Sequence, residues 1–306
     1  MSQRKFLDEA GEIKRLKVIA AKIRKDALEN ITKTKAGHPG GSLSVADILT
    51  ALYFGRTCDP EAGLWENILR YDPADPLWPN RDRLILSKGH AAPALYAALA
   101  QAGFFSDDLL KIYRKIDSPL EGHPAMYRVR EENGRLVEHG TKGVDFSTGS
   151  LGHGLSAGAG MALHAKVYGY DYHVYVILGD GDMQEGMTWE ACLTIPNKGL
   201  SNVCGIVDFN RLQVDGRTDD INRLDPLAQK LEAFNWEVKE IDGHDFYALI
   251  DALHEFKKTR SEKARPLMVL ANTIKGKGVS EIEGICKYHA LPLSDEEFGR
   301  AETECL

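Results

Sequence analysis

Residues 173–191 read HVYVILGDGDMQEGMTWEA, and this stretch decides the fold. An apolar run from Val174 to Leu178 stops at Gly179, Asp180 and Gly181, and the helical pattern that follows completes a predicted strand, tight turn and helix. Glycines let the backbone approach a bound group closely, and a helix N-terminus offers N–H donors to an anion. Asp180 stands where it could ligate a cation beside that anion. A diphosphate with a divalent metal ion fits these features, and a plain turn at a strand end fits the tripeptide equally well.

The next predicted strand, VCGIVDFN at residues 203–210, also ends in oxygen-bearing side chains, those of Asp208 and Asn210. Gly181 and Asn210 are separated by 28 residues, and ligands of open α/β sheets bind outside the carboxyl ends of neighbouring strands. We therefore expect Asp180 and Asn210 to converge. Oxygen ligands of this kind suit magnesium or calcium better than zinc. The alternative interpretation of Asn210 is a turn former after a strand.

Strands alternate with helices through the second half of the chain. The pattern predicts strands at 173–178, 203–209, 236–241 and 266–272 and helices at 155–168, 184–197, 226–234 and 246–258. Such alternation is typical of a mainly parallel sheet covered on both faces, which makes a three-layer α/β/α fold. We find no repeat or linker that divides the chain, so we expect a single domain over residues 1–306 with a C-terminal tail from about residue 279.

The first half is predicted to be mainly helical. It contains a long amphipathic helix at 12–35, a second helix that opens at Ser42 or Ser44 as its N-cap and runs through Leu52, a strand at 83–87 and a helix at 91–102. No regular structure is predicted between residues 118 and 154. A loop of this length inside a compact domain usually has a function.

Composition narrows the classes of protein. The balance of 38 Lys and Arg against 45 Asp and Glu gives a net charge of −7, which argues against a nucleic acid or an anionic membrane as the main partner. No apolar signal region opens the sequence and no later run has the length of a membrane span, so a cytoplasmic protein is expected. The cysteines lack regular spacing, which predicts reduced thiols rather than disulfides or a zinc site. They are Cys58, Cys192, Cys204, Cys286 and Cys305.

Six sequence blocks, in a fixed order, resemble those of transketolases. They are GHPGG at 37–41, SKGHA at 87–91, GHP at 122–124, TGSLG at 148–152, GDG at 179–181 with QEG at 184–186, and KGKG at 275–278. A Gly-Asp-Gly followed after a little under thirty residues by Asn, here Asn210, is the thiamine-diphosphate motif. The resemblance runs from about residue 15 to residue 292 and implies the thiamine-diphosphate-binding fold, in its diphosphate-binding domain.

The resemblance implies a metal site and a diphosphate site at these strand ends. Asp180 and Asn210 would bind the metal ion, with the backbone carbonyl of Leu212 as a third protein ligand. Magnesium is the expected ion, and calcium or manganese would also suit these ligands. His90 and the backbone amide of Gly181 would contact the diphosphate.

The same resemblance assigns residues to the rest of the cofactor. Gly149 and Leu151 would meet the aminopyrimidine through backbone groups, and Val214 would pack against the thiazolium ring. Glu185, one turn into the helix after the metal loop, would join a carboxylate network between two cofactor sites; its simpler interpretation is an acid favoured by the helix dipole. His153 departs from the Gln of many full-length transketolases, which leaves donor and acceptor preference open.

Three histidines, His38, His123 and His289, resemble those that line the transketolase substrate channel. A ketol donor loses a hydroxyl proton as its carbon–carbon bond breaks, and neutral imidazole accepts such a proton near pH 7. The same groups can hydrogen-bond alkoxide and carbonyl oxygens. The histidines interpreted as structural are His139, His164, His173, His244 and His254.

The implied reaction is transfer of a two-carbon ketol unit between sugar phosphates, as in the pentose phosphate pathway. In transketolases the glutamate that activates the aminopyrimidine belongs to a second α/β domain, and this sequence ends at Leu306, soon after the first domain's pattern is complete. We therefore expect a separate C-terminal subunit that carries the pyrimidine-binding domain and the catalytic glutamate, in an α2β2 heterotetramer. The alternatives are a subunit of a 1-deoxyxylulose-phosphate synthase-like or dihydroxyacetone synthase-like enzyme, and a catalytically silent transketolase-like module.

Overall fold

Nine strands form three sheets in the computed structural model, which describes residues 9–59, 64–258 and 264–304. In chain order they are β1 (Arg56–Asp59), β2 (Leu64–Asn67), β3 (Arg83–Leu86), β4 (Arg128–Glu132), β5 (Arg135–His139), β6 (Val174–Gly179), β7 (Val203–Phe209), β8 (Glu237–Asp242) and β9 (Leu267–Asn272). The main sheet has the order β3-β6-β7-β9-β8, and all of its pairings are parallel. Two antiparallel pairs, β1 with β2 and β4 with β5, lie outside it.

The central strands are buried along their whole length, which is the pattern of a sheet covered on both faces. Every residue of β6 and of β7 is buried. Tyr175 and Ile177 face one hydrophobic cluster, whereas Val174, Val176 and Leu178 face another on the opposite side, because successive side chains of a strand point to opposite faces. The two clusters are the two cores of a three-layer fold.

Helices form the outer layers. In chain order they are α1 (Glu9–Thr34), α2 (Pro39–Ser44), α3 (Ala46–Phe54), α4 (Ala92–Gln101), α5 (His153–Tyr168), α6 (Gly186–Asn197), α7 (Thr218–Ile221), α8 (Leu227–Ala233), α9 (Phe246–Lys258) and α10 (Asp295–Glu304). Apolar residues of α1, α3, α4 and α9 cover one face, and those of α5, α6 and α8 cover the other. The expected three-layer α/β/α architecture is confirmed.

The second helix predicted from the sequence is α3, and its N-cap differs from the prediction. The prediction of Ser42 or Ser44 as N-cap is wrong, because the N-cap of α3 is Val45 and both serines lie in the short helix α2, which starts at Pro39, whose fixed φ suits the first position of a helix. The two hydroxyls serve other partners: Ser42 Oγ donates to the carbonyl of His38 at 2.8 Å, and Ser44 Oγ donates to Asp208 Oδ2 at 2.6 Å. The C-terminal end of α2 is thereby tied to the end of β7.

A hairpin occupies part of the segment in which no regular structure was predicted. Strands β4 and β5 pair from Arg128 opposite His139 to Glu132 opposite Arg135. The turn is Asn133-Gly134, with φ values of 52° and 75°, as a two-residue turn of the type favoured in hairpins requires. Charged residues fill the hairpin and most of them are exposed, so the alternation that announces a half-buried strand is absent. The Asn-Gly pair was the usable signal.

The register of the sheet brings the motif residues together. Gly179 lies opposite Asp208 on the neighbouring strand, and Phe209 lies opposite Asn272 on the next. Because parallel strands end at one edge, the segments that follow β3, β6, β7 and β9 meet there. These segments carry the SKGH, GDG, Asn210 and KGKG sequences.

The segment after Gly278 packs against the helical layer through its own small apolar cluster. Val279, Ile282 and Tyr288 contact Leu28 of α1 and Leu43 of α2. A short 3-10 turn at Cys286–His289 precedes α10 and directs His289 toward the edge of the sheet where the motifs meet. In the described ranges, none of the helices is both long enough and apolar enough to cross a membrane. Three described cysteines, Cys192, Cys204 and Cys286, are free thiols, and Cys305 lies outside the described residues.

Candidate functional site

A cavity of about 240 Å³ opens at the carboxyl edge of the parallel sheet. Nine of the site residues expected from the sequence line it, together with Lys88, Asp182 and Lys275, which the sequence analysis did not select. The expected nine are His90, Leu151, Asp180, Gly181, Glu185, Asn210, Leu212, Val214 and His289. His38, His123 and Gly149 lie at its rim, since the ring of His38 is 5.2 Å from that of His90, and a Cβ on Gly149 would stand 3.6 Å from the His123 ring.

One oxygen of Asp180 is buried without a hydrogen-bond partner in the described part of the chain. Its Oδ2 accepts from the backbone amide of Arg211 at 3.1 Å, whereas its Oδ1 has no partner. Burial, followed by the charge of Asp208, raises the pKa of Asp180 to about 7. An unpaired carboxylate oxygen in such a place is expensive unless a cation meets it. The local chemistry therefore fits a bound metal ion.

Asn210 and Leu212 place further oxygens in the same cavity. The backbone amide of Leu212 donates to Asn210 Oδ1 at 3.1 Å, and the intervening Arg211 has a φ of 61°, so the chain turns sharply after β7. The carbonyl of Leu212 accepts from Lys275 Nζ at 3.1 Å. Among the described residues no group of three His, Cys, Asp or Glu side chains could hold a metal ion, so a metal here would depend on mixed carboxylate, amide and carbonyl oxygens.

Histidines cluster beside this oxygen-lined pocket. The ring of His38 is 5.5 Å from that of His289 and 6.3 Å from that of His123, and the rings of His90 and His289 are 5.1 Å apart. Burial, followed by neighbouring positive charges and imidazoles, lowers the pKa of His38 to about 4 and that of His289 to about 3. The pKa values of His90 and His123 are lowered for the same first reason. All of these imidazoles are therefore neutral near pH 7, and each has one ring nitrogen without a proton.

Two buried lysines give the cavity a positive wall. Lys88 Nζ donates to the carbonyl of Gly41 at 3.0 Å and forms an ion pair with Asp208. Lys275 Nζ lies 2.8 Å from His289 Nδ1, and burial, followed by the charge of Lys88, lowers its pKa to about 8. The sequence signal was their position directly after β3 and β9, where strand ends meet, but their burial could not be foreseen.

Asp182, a third missed residue, joins three of the motif loops. Its Oδ1 accepts from Ser87 Oγ at 2.5 Å and from the amide of Gly152 at 2.9 Å, and its Oδ2 accepts from the amide of Gly179 at 2.9 Å. The side chain is fully buried, and burial raises its pKa. This carboxylate therefore holds the SKGH, TGSLG and GDG loops in register. Only the fold brings its three donors together.

The position of Glu185 differs from the expected one. It was placed one turn into the helix, but it is the N-cap residue of α6 and is exposed, because a 3-10 turn at Asp182–Gln184 delays the start of the helix. A Cβ on Gly152 would stand 2.6 Å from the Glu185 Cβ, so this acid lies directly over the TGSLG loop. Val214 is 59% exposed at the cavity mouth, where a bound group could cover it.

Comparison with known proteins gives this arrangement a family. Residues 15–305 match the family described as transketolase, thiamine diphosphate binding domain. The chain belongs to the transketolase family. A 6-deoxy-6-sulfo-D-fructose transketolase subunit of a Clostridium species is 41% identical over 282 residues, which are 92% of this chain and 93% of that relative. An apulose-4-phosphate transketolase subunit of Actinobacillus succinogenes is 40% identical over 274 residues, 89% of each chain.

Full-length transketolases match over only part of their length. Human transketolase is 34% identical over 92% of this chain but 40% of its own. The solved transketolase of Campylobacter jejuni superposes with a TM-score of 0.81 at 32% identity and covers 95% of this chain and 43% of its own. This transketolase-family chain thus corresponds in extent to separate subunits and to the N-terminal part of the long enzymes. The family and the fold expected from the sequence are confirmed, and by family the chain is one subunit of a transketolase-type enzyme.

Proposed function

We propose that this chain is the cofactor-binding subunit of a transketolase that transfers a two-carbon ketol unit from a ketose phosphate to an aldose phosphate. One observation carries the proposal: a cluster of neutral imidazoles borders the same cavity as the unpartnered buried oxygen of Asp180. The oxygen fits a metal ion, and the imidazoles stand ready to accept protons from sugar hydroxyls beside it. In this proposal the chain forms one domain over residues 1–306, with a tail from about residue 279.

Thiamine diphosphate is the proposed cofactor, and the residues present fit it. Asp180, Asn210 and the carbonyl of Leu212 would hold a divalent ion, preferably Mg²⁺, because all three present oxygen. His90 and the amide of Gly181 would contact the diphosphate. When bound, the cofactor supplies a carbon nucleophile and an electron sink for a breaking carbon–carbon bond.

The rest of the cradle suits the organic part of the cofactor. Leu151 and Val214 line the cavity with apolar side chains, and Gly149 stands at its rim beside His123. We assign the backbone groups of Gly149 and Leu151 to the aminopyrimidine and the side chain of Val214 to the thiazolium ring. The ammonium groups of Lys88 and Lys275 add positive charge to the wall that would face the diphosphate.

The histidines have the chemistry that ketol transfer needs from the protein. His38, His123 and His289 have lowered pKa values, so each is neutral near pH 7, and the unprotonated nitrogen of His289 accepts from Lys275 Nζ. Such a group can take the hydroxyl proton of the donor sugar and return it to the acceptor. Their mutual ring distances leave several imidazoles within reach of one substrate carbon chain.

The proposed sugars carry a negative charge. The two relatives of similar length are named for a sulfonated fructose and for a sugar phosphate, both of which end in an anion. In this chain the exposed guanidinium of Arg114 is close enough to His123 and His38 to lower the pKa of both, after the effect of burial. A cation beside these histidines is suited to a phosphate or sulfonate group.

A separate partner chain is part of the proposal. The same two relatives are named as parts of larger enzymes and cover nearly the same length as this chain, so the pyrimidine-binding domain with its catalytic glutamate would come from a second polypeptide. Two such pairs would make an α2β2 heterotetramer in the cytoplasm, with a place in the pentose phosphate pathway. Glu185, exposed beside the TGSLG loop, would join a carboxylate network between two cofactor sites.

Two alternatives remain compatible with the same site. A subunit of a 1-deoxyxylulose-phosphate synthase-like or dihydroxyacetone synthase-like enzyme would use the same metal and diphosphate residues with another donor or acceptor. A catalytically silent module would keep the fold but need neither the Asp180 oxygen nor the neutral histidines.

Reconstitution tests the proposal. The chain is co-expressed with the polypeptide encoded beside it, and ketol transfer is measured with ketose and aldose phosphates, with sulfonated ketoses and with pyruvate. We expect no turnover from the lone chain and saturable recovery as the partner is titrated in. Full turnover by the rigorously pure chain would contradict the split assembly, and absence of turnover with every donor would favour the silent module. Pyruvate as the only accepted donor would favour the 1-deoxyxylulose-phosphate synthase-like alternative.

A further inference from the structure

Lys275 sits in a short loop whose backbone is anchored on both sides. The amide of Thr273 donates to the carbonyl of Phe209 at 3.2 Å, and the amide of Gly276 donates to the carbonyl of Gly40 at 2.9 Å. Between them, the amide of Ile274 donates to a side chain, Nε2 of His244, at 2.9 Å. The acceptor is a side chain outside the loop, so a substitution can remove this anchor without changing the loop itself.

The bond to Ile274 fixes the tautomer of His244. A ring nitrogen that accepts from an amide carries no proton, so the proton of neutral His244 lies on Nδ1. That nitrogen is 2.6 Å from Asp47 Oδ2, which accepts the proton-bearing N–H. The Asp47 carboxylate therefore orients the ring through Nδ1, and Nε2 accepts the hydrogen bond from the loop. Metal-binding histidines are commonly oriented by a carboxylate in the same way.

Asp47 is itself held in place from another helix. Arg24 of α1 forms an ion pair with its Oδ2, while Arg24 Nε donates to the carbonyl of Leu43 at 3.2 Å. Asp47 and Arg24 are 4% and 8% exposed. A chain of contacts, buried at Arg24 and Asp47, thus runs from α1 through α3 and His244 to the loop after β9.

We propose that His244 is the positioning residue of the cofactor site, acting through Lys275. This inference rests on the proposed function, in which Lys275 faces the diphosphate. With Ile274 held, the neighbouring ammonium lies 3.1 Å from the carbonyl of Leu212 and 2.8 Å from His289 Nδ1. If the Ile274 amide is released, the loop loses the anchor adjacent to Lys275 and the ammonium moves away from these partners.

Two substitutions separate the roles of the two ring nitrogens of His244. His244→Gln places an amide oxygen where Nε2 stands and keeps an acceptor for Ile274, whereas His244→Asn reaches only Asp47. Magnesium with inorganic diphosphate is the probe, titrated calorimetrically into the purified chain. We expect His244→Gln to bind magnesium diphosphate within about twofold of the affinity of the unaltered chain. We expect His244→Asn to bind it about threefold to tenfold more weakly, because this variant loses one hydrogen bond to the loop. Hydrogen exchange at the Ile274 amide is expected to accelerate only in His244→Asn. His139→Asn, on the exposed hairpin, is the matched control.

A double-variant cycle tests whether the effect passes through Lys275. Lys275→Met weakens binding by itself, and adding His244→Asn causes little further loss, because residues in one pathway are not additive. Equal binding by His244→Asn and the unaltered chain, or full additivity, would overturn the inference. So would unchanged binding by Lys275→Met. Asp180→Ala reports on the proposed function separately, since its loss of metal-dependent binding does not involve His244.

Discussion

The ammonium of Lys88 and the carboxylate of Asp208 form an ion pair whose side chains are only 2% and 0% exposed. Ser44 Oγ donates to Asp208 Oδ2 at 2.6 Å, and Thr273 Oγ1 donates to Asp208 Oδ1. Burial by itself raises the pKa of Asp208, but the Lys88 charge and these hydrogen bonds outweigh it, so the pKa lies below its ordinary value. Asp208 is thereby occupied as a structural anion, and Asp180 on the neighbouring strand is left as the carboxylate with a free oxygen.

Lys88→Met is expected to lower the free energy of unfolding by about 3 to 5 kcal/mol, because it leaves the Asp208 carboxylate buried without its counter-ion. Urea unfolding followed by circular dichroism measures the loss. The double variant Lys88→Met/Asp208→Asn removes both charges and should recover part of it. A double variant no more stable than the single one would show that the charges do not act as a pair.

Asp180→Ala is expected to abolish the metal dependence of thiamine diphosphate binding, since the free oxygen that would meet the cation is removed. Calorimetric titration with and without Mg²⁺ gives the comparison. Asp219→Ala, an acid on the short helix α7, serves as the control. Unchanged affinity in the presence of magnesium would show that the metal lies elsewhere.

His38→Ala and His123→Ala are expected to slow turnover of the reconstituted enzyme by about 10² to 10⁴, with a much smaller effect on cofactor affinity. The reason is that these rings stand at the rim of the cavity, whereas Asp180 and His90 line it. Steady-state rates per bound cofactor are the measurement. Loss of cofactor affinity with turnover per site intact would mean that the two residues bind the cofactor instead.

Acidification is expected to destabilise the chain through its clustered histidines. The pKa values of His38 and His289 are lowered from 6.5 to about 4 and about 3, mainly by burial. Between about pH 6.5 and pH 4 the unfolded chain therefore binds protons that the folded chain does not, and stability falls as the pH falls through this window. Urea midpoints at pH 7 and pH 5 report the difference. The variant His38→Gln/His289→Gln should show a smaller change, and an equal change would place the effect in other groups.

At the GDG turn, local sequence patterns predicted the structure correctly. Two adjacent strand ends were predicted from the apolar run 174–178, the glycines at 179 and 181 and the position of Asn210. The register of the sheet, with Gly179 opposite Asp208, confirms that these strand ends are neighbours. The same reasoning was wrong about the N-cap of α3 and missed the hairpin after residue 127. In both places the local residues are polar. Ser44 donates a hydrogen bond to Asp208, which is far away in the sequence, and the hairpin strands are charged and have no apolar face.

By itself the sequence determined the family, the parallel sheet and the polar residues at its carboxyl edge, because these depend on periodicity and on motif order along the chain. The tertiary structure alone decided which of those polar groups pair with each other. It paired Lys88 with Asp208, turned Asp182 toward three loops and joined His244 to Ile274, all across separations that no local pattern records. It also left one Asp180 oxygen without a partner among the described residues. The physical reason is burial: whether a charge is paired, shifted in pKa or left for a ligand depends on what the fold packs around it.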